Sequence, residues 1–280
     1  MTAVDAVVPS AAPTGRPGEL HPPGPAGISA AARVVVGPGR QGRPRLLERT
    51  TRPPLGMTLA GGDLYLMGTA GGPHGGDDLS TEVVVTPGTE LTVRSVAATV
   101  ALPGDGSRSR QRLRVDVGEG ATVRWVPEPL VAAAGCHHRA DTVVDLAADA
   151  RLVWREELVL GRTGEPAGRL FASLRITRNG RPLLVHALDT SLPGWQGPAV
   201  TAGARVVGLL VVVGPDADAL PDGPVAGRFA VAHPEPHLAV VMGLAADHAT
   251  WRRTLAQVLG AAPPADGAPT RSSLPGKGTR

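Results

Sequence analysis

The stretch VDVGEGATVRW (115–125) returns 29 positions later as VDLAADARLVW (144–154). Both copies open on Val-Asp-apolar, cross a short turn and end on tryptophan. VVVTPGTELTV (83–93) shares the apolar–turn–apolar outline 32 positions before the first copy. Alternating apolar residues on either side of a turn signal half-buried strands. Three strand–turn–strand units at nearly constant spacing have two readings. They stack as β-helix-like layers around a shared core, or they are hairpins in layered antiparallel sheets. Both predict a mainly β fold in one large domain.

The surrounding sequence extends the pattern. LTVRSVAATV (91–100) and RLVWREELVL (151–160) read as strands, and LRITR (174–178) turns through Asn179–Gly180 into LLVHAL (183–188). Asn-Gly marks a hairpin because both residues tolerate positive φ. VVGLLVVV (206–213) reads as a strand buried on both faces. A single helix is expected over 245–260. Asp247 caps it, Trp251, Leu255 and Leu259 recur every four residues, and Gly260 ends it. Residues 1–32 and 261–280, rich in Pro, Gly and Ala, read as a disordered arm and tail around a β domain at 33–260.

Composition narrows the function classes. Aromatics are 2% of the 280 residues, and the net charge is +3. No basic stripe is interleaved with stacking aromatics, so nucleic acid is not an expected partner. The longest apolar run is too short to span a bilayer as a helix, and the N-terminus lacks the pattern of a signal peptide. One cysteine forms no internal disulfide. A cytoplasmic protein without a membrane partner is expected.

Several strings invite a chemical reading. VVVGPGRQG (34–42) holds G-x-G-x-x-G, but Pro44 and a short stretch follow where a dinucleotide site needs a helix. It reads as a glycine-rich turn. His233 and His237 in HPEPH lie ~13 Å apart if the chain is extended, too far to share an ion. Cys136, His137 and His138 are consecutive, and strand neighbours face opposite ways. They read as a polar loop with a half-buried thiol, or as a weak, open soft-ligand site. Glu156 and Glu157 are adjacent on a strand and face opposite ways, so they do not form a catalytic pair. No nucleophile–base, zinc or P-loop motif is found, and an enzyme is not expected.

The order of the remaining motifs resembles the urease accessory protein D family (UreD, UreH in some lineages). GGPHGGDDL (71–79) resembles its glycine–glycine…glycine–aspartate segment through Gly71, Gly72, Gly75, Gly76 and Asp77. RPPL (52–55) and LTVRSVAATV resemble upstream elements. RSRQRLRVDVGEGATVRWVPEP (108–129) is similar to its Gln-bearing strand and its Trp–x–Pro–x–Pro segment, here Trp125, Pro127 and Pro129. ARLVWREELVLGRTGEPAGRL (150–170) resembles its strand ending in G-R…G-E, here Gly161, Arg162 and Glu165. SVAATVAL lacks the family's Gln, Lys and Tyr, as in a divergent member. The resemblance implies a non-enzymatic chaperone that docks on apo-urease with UreF and UreG. Nickel passes through such a protein, and none is held as a tight cofactor. Asp77 and Glu165 are the carboxylates it singles out for the nickel path. Read from residues alone, each is equally a turn residue bonding its own backbone. A stand-alone weak metal-binding β protein and a β-rich enzyme with an unrecognised site are the alternatives.

Overall fold

The computed structural model describes residues 27–260. β1 (Ser29–Pro38) and β2 (Pro44–Thr50) form one hairpin, β3 (Leu55–Ala60) and β4 (Asp63–Gly68) a second. The repeated region supplies β5 (Asp78–Val85), β6 (Glu90–Ser95), β7 (Thr99–Ala101), β8 (Ser109–Val117), β9 (Thr122–Trp125), β10 (Leu130–Ala132), β11 (His137–Leu146) and β12 (Arg151–Val159). Then come β13 (Arg169–Arg178), β14 (Arg181–Asp189), β15 (Val206–Val213), β16 (Gly223–Ala226), β17 (Phe229–Glu235), β18 (Leu238–Ala245) and the single α1 (His248–Val258).

The chain alternates between two sheets. One has the order β14-β13-β11-β8-β5-β1-β2, the other β16-β17-β18-β15-β12-β9-β6-β4-β3. β5, β8, β11 and β13 pair in parallel, as do β6, β9 and β12. The repeat units therefore stack as layers, and the antiparallel-hairpin alternative does not hold for them. Sequence spacing is the register itself: Val83 pairs with Val115, Val115 with Val144, and Val144 with Ile176. In the facing sheet Leu64, Val93, Trp125, Trp154, Val211 and Val240 form the matching row. Both rows are buried between the sheets. Trp125 and Trp154 stack at 4.8 Å with their planes 10° apart, a contact worth ~1 kcal/mol beyond area burial.

β15 is buried along its whole length. Leu209, Val211 and Val213 face the inter-sheet core, while Leu210 and Val212 pack under α1. Asp247 Oδ1 accepts a hydrogen bond from the Thr250 amide (2.7 Å) and caps α1. Trp251 and Leu255 are buried as their spacing required; Leu259 is 42% exposed, because it follows the last helical turn. The Trp251 ring packs on β15 at Gly208, and its Nε1 donates to the carbonyl of Gly243 on β18 (3.3 Å), the residue paired with Gly208. A Cβ at Gly208 would stand 2.0 Å from the Trp251 ring.

Other differences from the expected boundaries have local causes. β1 begins at Ser29, inside the segment read as an arm, because Ala30 and Ala32 are buried in parallel pairing with β5. Residues 1–26 and 261–280 lie outside the described residues. LTVRSVAATV is two strands rather than one. Ser95 Oγ donates to the Ala97 carbonyl (2.9 Å) and closes a turn between β6 and β7. Asn179 and Gly180 have φ of 49° and 74° and form the β13–β14 hairpin. GPGRQG is the turn between β1 and β2, and a strand follows it. Among the described residues no helix is long and apolar enough to cross a membrane.

Replacing Gly208 with Ala forces the Trp251 ring off the sheet, at a cost of about 1–3 kcal/mol. A lowered thermal midpoint with unchanged secondary structure is the expected outcome in circular dichroism. An unchanged midpoint would mean that α1 does not pack there.

Candidate functional site: the inter-sheet cavity

The buried residues between the sheets do not form one continuous core. Val83, Trp125 and Trp154 belong to one cluster; Leu158, Leu170, Ala172 and Cys136 belong to another. A cavity of about 630 Å³ has lining from both, including Trp154 and Ala140, and also from Gln111 and Thr142. Its origin is a break in the second sheet. β9 ends at Trp125, and Val126–Pro129 leave the ladder before β10 resumes against Leu158 and Val159. Pro127 and Pro129 lack the N–H that would continue the pairing. The turn at 96–98 interrupts the neighbouring strand in the same way, and Val96, Ala97, Pro127 and Glu128 all reach the cavity.

Glu156 stands opposite this break. On β12 the inward positions are Leu152, Trp154, Glu156 and Leu158, so one carboxylate interrupts an apolar face. Glu156 lines the cavity and makes no side-chain hydrogen bond or ion pair with a described residue. It keeps some accessible surface, yet protein atoms crowd around it. Burial pushes its carboxyl up to about 7. Gln111, Thr81 and Thr142 supply neutral oxygens to the same lining.

Glu157 faces the other way, as strand alternation requires, and although it touches the cavity lining its side chain is almost fully buried. Arg155 Nε and Arg252 Nε lie 2.9 and 2.6 Å from Glu157 Oε1, as ion-pair contacts whose angles miss hydrogen-bond geometry. His248 contacts Oε2. Arg155 Nη2 also donates to the Val126 and Pro127 carbonyls (3.1 and 2.9 Å), pinning the segment that left the ladder. This network fastens α1 and the 126–127 segment to β12 beside the cavity.

The carboxylates picked out by their glycine segments are both held. Asp77 lines the cavity, but Oδ1 accepts from the Ile28 amide (2.8 Å) and Oδ2 from the His74 amide (2.9 Å). It locks the turn containing Gly71, Gly72, Gly75 and Gly76 onto the start of β1. Gly75 approaches so closely that a Cβ would meet the Pro103 carbonyl at 2.7 Å. Glu165 accepts from Arg162 Nε (2.8 Å) and Nη2, and Arg162 holds its carboxyl below the usual range. Gly161, at φ 91°, lets that turn close; a Cβ there would meet the Glu165 carbonyl at 2.7 Å.

Cys136, His137 and His138 are not a polar loop. His137 and His138 open β11, and the thiol is fully buried. Burial pushes the Cys136 thiol up to about 11, so it is protonated at neutral pH. His137 faces outward. His138 faces inward, bonds Ser109 Oγ through Nδ1 (2.9 Å) and leaves Nε2 unpartnered. Burial lowers its pKa to about 4, so it is neutral. His233 contacts the Leu220 carbonyl and His237 pairs with Asp218, so the HPEPH histidines serve separate contacts. Among the described residues no group of three or more His, Cys, Asp or Glu could hold a metal ion.

Sequence reading did not identify Glu156 as the cavity carboxylate that lacks a partner among the described residues. The signal was present: once Trp125 is aligned with Trp154, Glu156 falls on the inward row, where every other β12 residue is large and apolar.

The raised carboxyl sets a pH dependence. Between its ordinary value of 4.5 and about 7, the unfolded chain ionises Glu156 while the folded chain keeps it neutral. Stability is thus full below 4.5 and falls as pH rises to 7, by up to about 3 kcal/mol. Glu156→Gln removes the loss. The variant should match the wild type in denaturant melts at pH 4 and exceed it at pH 8. Equal curves at pH 8 would mean the carboxylate is solvated or paired.

A family model described as UreD urease accessory protein matches residues 29–273. Urease accessory protein UreD of Streptomyces avermitilis is 40% identical over 245 residues, covering 84% of this chain and 97% of that protein. The Frankia alni protein of the same name is 37% identical over 300 aligned residues, covering 91% and 97%. That of Parafrankia sp. (strain EAN1pec) is 43% identical over 216 residues, covering 67% and 73%. The match begins at β1, takes in both sheets and α1 and extends to residue 273, and the chain belongs to the UreD urease accessory protein family.

Proposed function

We propose that this chain is a non-catalytic chaperone of urease maturation. It docks on apo-urease together with UreF and UreG, and nickel on its way to the urease centre crosses the inter-sheet cavity. Membership of the UreD family supports the urease setting. The observation that carries the path is Glu156, a carboxylate without a protein partner in a cavity of otherwise mostly apolar lining. A divalent ion in a Val/Leu interior meets a desolvation cost of several kcal/mol or more. One carboxylate with neutral oxygens from Gln111, Thr81 and Thr142 offsets part of that cost. Such hard, sparse ligands bind nickel weakly, so the ion can move on. A thiolate among imidazoles would hold it, and the Cys136 thiol is protonated and buried.

Asp77 and Glu165 belong to this path as its wall. Asp77 fixes the glycine turn that lines the cavity, and Glu165 orients Arg162, another lining residue. Cargo nickel arrives with the partners and no resident cofactor is needed.

The test is a urease activation assay read beside a pull-down of urease and UreF from the same cells. Glu156→Gln should lower the nickel content of urease several-fold while the complex stays assembled. Glu156→Leu should do more harm, because it removes every oxygen. Asp77→Ala should reduce activation together with the chain's stability. Full activation by Glu156→Leu would contradict the path, and loss of the complex would make Glu156 an interface residue.

A further inference from the structure

The outer face of the first sheet is a ladder of arginines and carboxylates, and its upper row sets two arginines, without a carboxylate partner among the described residues, on either side of a histidine. Parallel register places His137 and Arg169 side by side at the starts of β11 and β13, and Arg108, the residue before β8, contacts His137 from the other side. Neighbouring strands lie ~4.8 Å apart, so the three side chains stand in line. The inward neighbours Ser109, His138 and Leu170 are buried, so this row faces out. Lower on the same face, Arg110 and Arg139 share Asp141, Arg112 pairs with Asp78, and Arg114 pairs with Asp116 and Asp145. Among the described residues, Arg108 and Arg169 have no carboxylate within ion-pair distance.

His137 reports the local field. Its pKa is lowered by burial and then by the charges of Arg108 and Arg169. It is neutral at pH 7 and accepts from Arg108 Nε through Nε2 (3.3 Å), which leaves Nδ1–H as a donor. A notch of about 380 Å³ lies against His137 and Arg169. Gly135 and Gly168 line it, and Gly168 packs so tightly that a Cβ there would meet the Ala133 carbonyl at 2.3 Å and Cys136 Sγ at 2.4 Å.

We propose that this notch binds a tetrahedral oxyanion of the phosphate class: His137 and Arg169 line it, and Arg108, which contacts His137 through Nε, reaches it from the neighbouring strand. Two uncompensated guanidinium groups match a dianion, and their planar forks match its oxygens. The site lies on the outer face of the sheet and is separate from the cavity. A bound dianion offsets the field that depresses His137 and raises its pKa. Binding therefore takes up a proton, and affinity rises as pH falls.

Sulfate is the discriminating probe, because its charge is constant across the range. The full-length chain is titrated with sodium sulfate at about pH 5.5 and about pH 7.5, ionic strength held with chloride, and the histidine rings are followed by NMR. Saturable movement of His137 is expected, with tighter binding at the lower pH. Arg108→Gln and Arg169→Gln should each weaken it about tenfold or more. Arg110→Gln, which removes a partnered arginine one row below, should leave it unchanged. Inorganic phosphate and glycerol phosphate then separate a free ion from a phosphomonoester as the source. Absence of saturation, or equal weakening by Arg110→Gln, would overturn the site and leave general charge screening.

Discussion

Parallel pairing across gaps of 29 and 32 residues is the constraint on which this structure depends. Each layer places one valine, leucine or tryptophan directly beside its counterpart, so side chains pack in rows rather than in isolated contacts. The turns GEG and AADA do more than reverse direction. They have nearly equal length, and that keeps two sheets in register at once. A one-residue slip in the first turn would send Trp125, and in the second Trp154, to the opposite face, and the buried row of the second sheet would fail.

The same constraint makes polar intrusions informative. In a stacked fold an inward position is apolar by default, because the layers above and below offer no water. Glu156 violates that rule at the level where Val126–Pro129 leave the ladder, so the carboxylate and the sheet break occur together. Glu157 answers the opposite demand one residue later: it is buried outside the inter-sheet core and compensated by Arg155, Arg252 and His248. Removing one partner of such a buried network strands the remaining charge, so the paired carboxylate reads as structural and the unpaired one as functional.

Much of the fold was legible because the repeat is the register. The 29-residue return of VDVGEGATVRW allowed either stacked layers or antiparallel hairpins, and the parallel β8–β11 and β9–β12 pairings select the stacked reading. Asn179–Gly180 and VVGLLVVV were equally plain, since each has one good physical reading. The strands at 55–68 and 223–245 were not read, because outside the repeat no spacing sets their register. The site was harder. Asp77 and Glu165 stand in conspicuous glycine segments, yet their oxygens are taken by amides and by Arg162. Glu156 stands in an ordinary strand, and only the alignment of Trp125 with Trp154 turns it inward. Strand alternation already argued that consecutive Cys136, His137 and His138 share no ion, but the expected polar loop is a strand start with a buried thiol, because His137 and His138 pair with β13.

The central claim is that nickel can reside inside the cavity at Glu156. Crystals soaked in a nickel salt, with anomalous diffraction recorded on both sides of the nickel absorption edge, test it directly. The account predicts an interior peak beside the Glu156 carboxylate above pH 7, fading at pH 5 as the carboxyl takes up its proton. Nickel found solely on surface histidines such as His137 or His233, with none in the cavity at either pH, would contradict it.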